Sequence, residues 1–218
     1  MNIDLDTLSD ALSTFPKHWD GRTSILTMKD DNYPHWRQME WIGFYFQYLC
    51  DNILASIGMK TPGNKYGRTD FDGFWKIDWD FKSHPIHNKD GKESTTLIAN
   101  DLEATTKTIE QFGCTGLIVA CGEASFDNPD TMPFREWLTD LKGGESDYSL
   151  ENRKRGAKMR LYKTDFLLKY INIYLLDKES IDKQHLFQKG MRNSNGKPRR
   201  DKLSIDLTTI TPVKRIFF

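Results

Sequence analysis

The sequence predicts an α/β sandwich, with helices on the faces of a mixed central sheet. Three observations carry this prediction. Residues 35–57 have the apolar spacing of a helix, residues 77–82 alternate with the period of a strand, and residues 115–122 form a continuous apolar run typical of a strand buried on both faces. The 218 residues show no internal repeat and no convincing linker, so we expect one domain over residues 1–218.

The first element of the expected core is the helix over residues 35–57, which follows Pro34. Residues 1–34 are acidic and then rich in turn residues, which predicts a short helix and an irregular lead-in. Glu40 is expected on the edge of the apolar stripe of this helix, where a carboxylate needs a partner. The stripe comprises Trp36, Met39, Gly43, Phe46, Cys50, Ile53 and Ile57.

The period then changes from that of a helix to that of a strand. Apolar and charged residues alternate, so that one face carries Ile77, Trp79 and Phe81 and the other carries Asp78, Asp80 and Lys82. Pro85 is expected to end this strand. Residues 94–99 predict another short strand.

A second helix and a buried strand are expected next. Asn100, with Glu103 three residues later, has the spacing of a capping box, and Gly113 is placed to end the helix. The apolar strand of residues 115–122 follows. Pro133 is expected to open a short helix over residues 133–141.

The last third is basic. We expect a basic segment up to residue 164, a strand over residues 166–177, a loop-like tail to residue 202 and a final strand near the end. Residues 151–218 contain 17 lysines and arginines against seven acidic residues, whereas the first 150 residues contain 14 against 24. The net charge of zero therefore hides a basic region that favours a polyanionic partner, although a solvated basic surface is the alternative.

Composition excludes several protein classes. No stretch reaches the length of apolar residues that a membrane helix needs, and the acidic N-terminus is not that of a signal peptide. Cys50, Cys114 and Cys121 lie in apolar settings, which favours free thiols in the cytoplasm over disulfides.

The strongest chemical signal is Asp80-Phe81-Lys82. The carboxylate and the ammonium lie on the same side of one strand, and Asp72 precedes them by a short hairpin. Two carboxylates and a peptide carbonyl suit Mg²⁺, which binds substrate phosphate and lowers the pKa of an attacking water. Lys82 would stabilise the negative charge that develops on phosphorus. The alternative is an exposed ion pair with no catalytic role.

These residues resemble the motif of the PD-(D/E)xK nuclease superfamily, which includes most type II restriction endonucleases. The resemblance covers about residues 35–121 and implies a fold of helix, three-strand meander, second helix and further strand. It identifies Asp72, Asp80 and Lys82 as catalytic residues, Asp72, Asp80 and the Phe81 carbonyl as ligands of Mg²⁺, and Glu40 as an added glutamate from the first helix. The expected fold is thus a restriction-endonuclease-like sandwich.

The match departs from the family pattern, and other residues compete with it. Phe71 replaces the proline of the motif, and a different hairpin register would give Asp70 or Asp78 a metal role. The literal motif also occurs at Pro129-Asp130 with Asp140-Leu141-Lys142, but there the second part lies on the expected helix, where residues two apart face different sides. His84 and His87 invite a zinc interpretation, but no second ligand pair accompanies them.

Two basic clusters within residues 150–218 are expected to contact DNA phosphates, one over residues 153–163 and one over residues 189–200. Lys163 belongs to the first cluster and Lys189 to the second. Arg192, Asn193 and Asn195 in the second cluster could also read base edges. The alternative for residues 189–202 is a disordered basic tail. The residues expected to bind DNA are Arg153, Lys154, Arg155, Lys158, Arg160, Arg192, Asn193, Asn195, Lys197, Arg199 and Arg200.

The sequence therefore leads to the expectation of a type II restriction endonuclease that hydrolyses double-stranded DNA with Mg²⁺. The symmetry of palindromic sites favours a homodimer. A cognate DNA methyltransferase is expected in the same system but not in a physical complex. The alternatives are a structure-directed repair, recombination or phage nuclease, and a non-catalytic DNA-binding protein.

Overall fold

The computed structural model describes residues 3–62, 70–156, 160–187, 189–191, 198 and 200–218. Within them the chain is a mixed α/β structure. The helices are α1 (Leu5–Ser13), α2 (Gly21–Asp30), α3 (Trp41–Leu54), α4 (Leu102–Phe112), α5 (Pro133–Leu141), α6 (Asp147–Lys154) and α7 (Lys178–Asp182). The strands are β1 (His18–Asp20), β2 (Gly73–Trp75), β3 (Ile77–Pro85), β4 (Thr96–Asp101), β5 (Thr115–Phe126), β6 (Lys163–Leu176), β7 (His185–Phe187), β8 (Lys202–Asp206) and β9 (Lys214–Phe217).

The main sheet is mixed, as expected. Its strand order is β1-β6-β5-β3-β2, and β9 also pairs with β6. β3 and β5 run parallel because α4 lies between them in the chain and returns it to the same edge, whereas the other pairs are antiparallel. β5, the apolar run of the sequence, is buried over its first eight residues.

The two faces of the main sheet are covered differently. Residues of α1, α2, α3 and α5 pack on one face, where the indoles of Trp19, Trp41 and Trp79 are fully buried. The other face is covered by a second sheet of order β4-β8-β7, together with α4 and α7. Helices thus lie on both faces, but the predicted strand β4 does not belong to the main sheet, because it pairs with β8 in this smaller sheet.

The expected helix over residues 35–57 is interrupted. A 3-10 helix spans Pro34–Arg37, the backbone is extended at Gln38 (ψ 143°), and α3 begins only at Trp41. The break changes which side chains face the core, because Trp41 and Ile42 are buried there while Trp36 and Met39 are only half-buried. Of the predicted stripe, Phe46 and Cys50 are buried.

Several local predictions are confirmed and others are wrong. Gly113 ends α4 with a positive φ of 83°, but Asp101 rather than Asn100 caps its start, accepting a hydrogen bond from the Ala104 N–H at 2.8 Å. Pro133 opens α5 as expected. The lead-in was wrongly expected to be irregular, since it forms β1 and α2, and the tail up to residue 202, expected to be loop-like, contains α7 and β7.

The cysteines are free thiols, as the sequence indicates. Cys50 and Cys121 are buried and Cys114 is half-buried. Burial raises the pKa of all three thiols above the ordinary value. None of the helices in the described ranges is both long and apolar enough to span a membrane.

Candidate active site

A tight hairpin brings Asp72 beside Asp80. β2 and β3 pair antiparallel, with Gly73 opposite Trp79, and the connection passes through Lys76, whose φ is 63°. The Asp72 N–H donates to the Trp79 carbonyl at 2.9 Å, which extends the ladder by one residue beyond β2. The sequence prediction that Asp72 converges on the face of Asp80 and Lys82 is therefore supported by the register.

The Asp72 carboxylate is held from two sides. Its Oδ2 accepts a hydrogen bond from the Phe81 N–H at 2.9 Å, and its Oδ1 accepts one from the side-chain amide of Gln47 at 3.1 Å. The first bond belongs to the hairpin and the second comes from α3. The carboxylate orientation is thus fixed by both a strand and a helix.

The Lys82 ammonium lies among the three groups expected to hold a metal ion. Its Nζ contacts Asp80 Oδ1, lies 3.6 Å from Asp72 Oδ2, and donates to the Phe81 carbonyl at 3.3 Å. The Asp80 side chain is 8% exposed and that of Lys82 is 27% exposed. One cationic centre is therefore surrounded by two carboxylates and a carbonyl on a core strand, which is not the geometry of an exposed surface pair.

Burial and charge perturb this site. Burial raises the pKa of the Asp80 carboxyl to about 7. The positive charge of Lys82 lowers this pKa only in part, and the negative charge of Asp72 raises it further. Burial lowers the pKa of Lys82, but Asp80 and Asp72 raise it more, so the ammonium keeps its proton. Such a cluster of perturbed groups is typical of functional sites.

The residues present fit a magnesium ion. Within the described ranges no group of three or more His, Cys, Asp and Glu side chains forms a metal cluster. The set here consists instead of two carboxylates and a peptide carbonyl, the hard oxygen ligands that Mg²⁺ takes alongside water and substrate phosphate. Asp80 Oδ2 is buried and accepts no hydrogen bond from the described residues, so it is an oxygen with an unused acceptor capacity.

The competing acidic residues lie elsewhere. Asp78 Oδ2 accepts a hydrogen bond from the Thr108 hydroxyl at 2.7 Å, and Asp70 pairs with Arg200 at 3.1 Å. Both line a separate cavity of about 430 Å³ between β2 and α4. Asp140 lies on α5, so the second literal match to the motif is helical, as expected.

Glu40 is not on the helix stripe that the sequence predicts. It precedes α3, its side chain is 46% exposed, and its carboxylate pairs with Arg160 and Lys163. The reason is that the helix is interrupted before Trp41, so Glu40 does not belong to the helical register of α3. It nevertheless lines the same cleft as Lys82, with a volume of about 230 Å³.

The described residues of the predicted DNA-binding set are exposed, and four of them form ion pairs with acids. Arg153 pairs with Glu145, Arg155 with Glu151, Arg160 with Glu40, and Arg200 with Asp70 and Asp101. Lys154 is exposed at the end of α6. Lys158, Arg192, Asn193, Asn195, Lys197 and Arg199 lie outside the described residues.

The histidines do not form a zinc site in the described structure. His84 is buried, and its Nε2 lies 2.7 Å from the Ser94 carbonyl. Burial lowers the pKa of His84 despite that carbonyl, so the ring is neutral at pH 7. A buried, hydrogen-bonded imidazole is structural.

The polar residues behind Asp72 were not predicted from the sequence. Gln47 binds it directly, and burial, with the charges of Asp51 and Asp72, raises the pKa of the Tyr33 hydroxyl. A signal was present, since Gln47 and Asp51 lie one turn apart in a mostly aromatic and aliphatic helix. It could not be assigned without knowing which strand α3 packs against.

A comparison of the chain with protein-family models, curated proteins and solved structures finds no match. Functional inference therefore depends on the geometry of the site itself.

Proposed function

We propose that this protein is a Mg²⁺-dependent endonuclease of double-stranded DNA. The observation that carries the proposal is the position of the Lys82 ammonium among Asp72, Asp80 and the Phe81 carbonyl. Stability alone does not explain a buried ion pair here, because a protein with apolar residues of similar volume at such positions is often equally or more stable. Buried acids beside a lysine in a cleft instead suit phosphoryl chemistry.

The side chains divide the catalytic work. Mg²⁺ would be held by Asp72, Asp80 and the Phe81 carbonyl. When bound, it would polarise the phosphate and lower the pKa of the attacking water. Lys82 would stabilise the charge that develops as a water oxygen joins phosphorus and the bond to the 3′ oxygen breaks. Gln47 fixes the orientation of Asp72 during this step. By resemblance, the products carry 5′-phosphate and 3′-hydroxyl ends.

The order of elements supports a restriction-endonuclease-like core. After α3 the chain forms an antiparallel bridge between Lys60 and Phe74, and β2 and β3 follow. The chain then enters the second sheet as β4 before it forms α4 and β5. This gives a helix, three antiparallel segments, a helix and a strand parallel to β3. Strands β6, β7, β8 and β9 lie outside the part that the resemblance describes, and the single domain stays a prediction.

Sequence-specific cutting by a restriction enzyme is the form of the activity that we propose. The basic last third supplies cations for DNA phosphates, and a homodimer would match a symmetric site. A cognate methyltransferase would then protect the host DNA without binding this chain. Gel filtration of the protein on cut-site DNA tests the dimer, and a purely monomeric complex would contradict it.

The primary experiment is digestion of plasmid DNA with and without Mg²⁺. Wild type should give discrete fragments only with Mg²⁺, and Lys82→Ala should give none. Lys92→Ala, which removes an exposed lysine from a turn, is the matched control and should cut like wild type. Sequencing of the fragment ends identifies the site.

Other outcomes select the alternatives. Nicking or smearing that Lys82→Ala abolishes would keep the chemistry but favour a structure-directed nuclease. Binding without cleavage by any variant, on methylated and unmethylated DNA alike, would favour a non-catalytic DNA-binding protein.

A further inference from the structure

The cleft that contains Lys82 also contains a second cationic group. Lys163 and Glu40 line its wall together with Lys82. Lys163 Nζ donates to Glu40 Oε2 at 2.7 Å, and Arg160 Nη2 donates to Glu40 Oε1 at 2.6 Å. A single carboxylate thus pairs with two cations at the edge of the candidate active site, and the three groups keep a net charge of +1.

Lys163 is held in place by the main chain. It is the first residue of β6 and pairs with Phe126 of β5, and its carbonyl accepts a hydrogen bond from the indole of Trp41 at 2.7 Å. Its side chain is 21% exposed, compared with 72% for Arg160. The backbone of Lys163 is therefore fixed and its side chain is confined more than that of Arg160, so less conformational freedom is lost when it binds a ligand.

Glu40 is ionised in this arrangement. Burial raises the pKa of its carboxyl, but Lys163 and Arg160 lower it more, so that the pKa lies below its ordinary value. At neutral pH the Glu40 carboxylate is therefore an anion that contacts Lys163 in the wall of the cleft and Arg160 beside it. Glu40 and its partners occur on segments about 120 residues apart in the chain, so this contact is a product of the fold.

We propose that Lys163 and Arg160 bind a DNA backbone phosphate neighbouring the one at Lys82, and that Glu40 takes the place of that phosphate in the free protein. This inference rests on the proposed nuclease function. A carboxylate and a phosphodiester each carry one negative charge and offer oxygens to the same donors, and arginine and lysine both bind phosphate. The exchange costs little, since ion pairs of half-exposed groups are weak.

Duplex binding without metal tests this assignment. Fluorescence anisotropy of a labelled DNA duplex in EDTA reports binding while cleavage is blocked. Lys163→Gln should weaken binding roughly tenfold, as expected for the loss of a hydrogen bond to a charged group. It should also reduce the slope of log K against log salt by about 0.9, because one phosphate contact is lost.

Glu40→Gln should act in the opposite direction. Removing the competing carboxylate frees Lys163 and Arg160, so duplex binding should tighten by roughly twofold to fivefold, the scale of a half-exposed ion pair. A merely structural role for Glu40 predicts unchanged or weaker binding. Lys163→Arg should retain binding, and Lys169→Gln, which removes another lysine of β6 that pairs with Glu123, should leave the salt slope unchanged.

The outcomes separate this inference from the proposed function. If wild type cuts plasmid with Mg²⁺ and Lys163→Gln binds duplex as tightly as wild type, the phosphate assignment is wrong and the nuclease stands. If wild type neither cuts nor binds DNA, both are wrong. Thermal unfolding of Lys163→Gln at the wild-type temperature, together with recovery in Lys163→Arg, excludes a folding defect as the cause of weak binding.

Discussion

The side-chain amide of Gln47 donates a hydrogen bond to Oδ1 of Asp72 at 3.1 Å. This contact joins the middle of α3 to the residue just before β2, so the helix that packs on the main sheet also orients a candidate metal ligand. The other amide atom, Gln47 Oε1, is buried and meets no hydrogen-bond donor among the described residues. Gln47 is therefore better explained by the site than by stability, because a buried acceptor without a partner is destabilising.

Replacement of Gln47 by leucine should impair metal use while keeping the helix. Gln47→Leu preserves much of the side-chain volume but removes a donor that holds Asp72 Oδ1. We expect the cleavage rate to fall roughly tenfold and the Mg²⁺ concentration for half-maximal rate to rise, as for other partners of metal ligands. A Mg²⁺ titration of the cleavage rate measures both quantities.

The matched control is Gln111→Leu, an exposed glutamine on α4. It should give the wild-type Mg²⁺ titration. An identical titration for Gln47→Leu would show that Asp72 needs no support from α3.

Replacement of Lys82 by methionine should abolish cleavage and lower stability. The change leaves the carboxylates of Asp72 and Asp80 close together without their cation. Breaking such a pair by removing one partner should lower the free energy of unfolding by about 3 kcal/mol. Urea unfolding in EDTA measures this loss.

A double variant isolates the cause. In Asp80→Asn/Lys82→Met the unpaired buried charge is gone, so part of the lost stability should return while cleavage stays absent. Equal unfolding free energies for Lys82→Met and the double variant would mean that the Asp80 carboxylate does not destabilise the fold when Lys82 is absent.

The hairpin with the Asp-x-Lys residues was predictable because its signals are local. The alternation from Ile77 to Lys82 defines which residues share a face, and the short connection through Lys76 leaves few registers for Asp72. The parallel pairing of β3 with β5 follows from the intervening helix. Neighbouring residues alone were sufficient to bring Asp72, Asp80 and Lys82 together.

The position of Glu40 was not predictable, because distant residues determine it. The apolar spacing of residues 35–57 gives no sign of a break, but Trp41 is anchored through its indole to the Lys163 carbonyl, 122 residues away. Starting α3 at Trp41 leaves Glu40 outside the helix, facing Lys163 and Arg160. Helix periodicity cannot report such a contact.

The second sheet and the cap of α4 have the same kind of cause. β4 pairs with β8 across about a hundred residues, and the pairing places Asp101 opposite Lys202 and within 3.1 Å of Arg200. Asn100 and Asp101 are both good capping residues, so the local sequence does not choose between them. The tertiary ion pair favours Asp101.

Gly116 should tolerate no side chain, because it lies directly against a site strand. A Cβ at this position would approach Trp79 Cε3 to 2.1 Å, and the Trp79 indole is fully buried. Gly116→Ala should therefore lower the free energy of unfolding by about 2–3 kcal/mol through overpacking. Gly43→Ala is the contrasting variant. Gly43 lies in α3, and its added Cβ would lie 3.6 Å from Ser83 Oγ of β3, an ordinary van der Waals contact.

Gly43→Ala should raise the free energy of unfolding by about 0.5–1 kcal/mol, since alanine loses less backbone entropy than glycine in a helix. Chemical denaturation of both variants gives the comparison. A destabilised Gly43→Ala or a neutral Gly116→Ala would contradict the packing of α3 and β5 against β3.

The buried His84 ring should contribute less to stability in mild acid than at pH 7. Burial lowers the pKa of this ring in the folded protein, although the Ser94 carbonyl partly opposes it, while the unfolded chain titrates near the ordinary 6.5. Below that pH the unfolded chain binds a proton that the folded ring resists, so this contribution decreases as pH falls and is retained above it. The raised pKa of Asp80 acts in the opposite direction, because there the folded chain takes up the proton more readily. His84→Gln should therefore shift the change in unfolding free energy from pH 7 to pH 5 towards greater stability at pH 5, as measured by urea unfolding in EDTA at each pH. The exposed His87→Gln should show the wild-type change, and an unchanged value in His84→Gln would mean that protonation of His84 does not limit stability in acid.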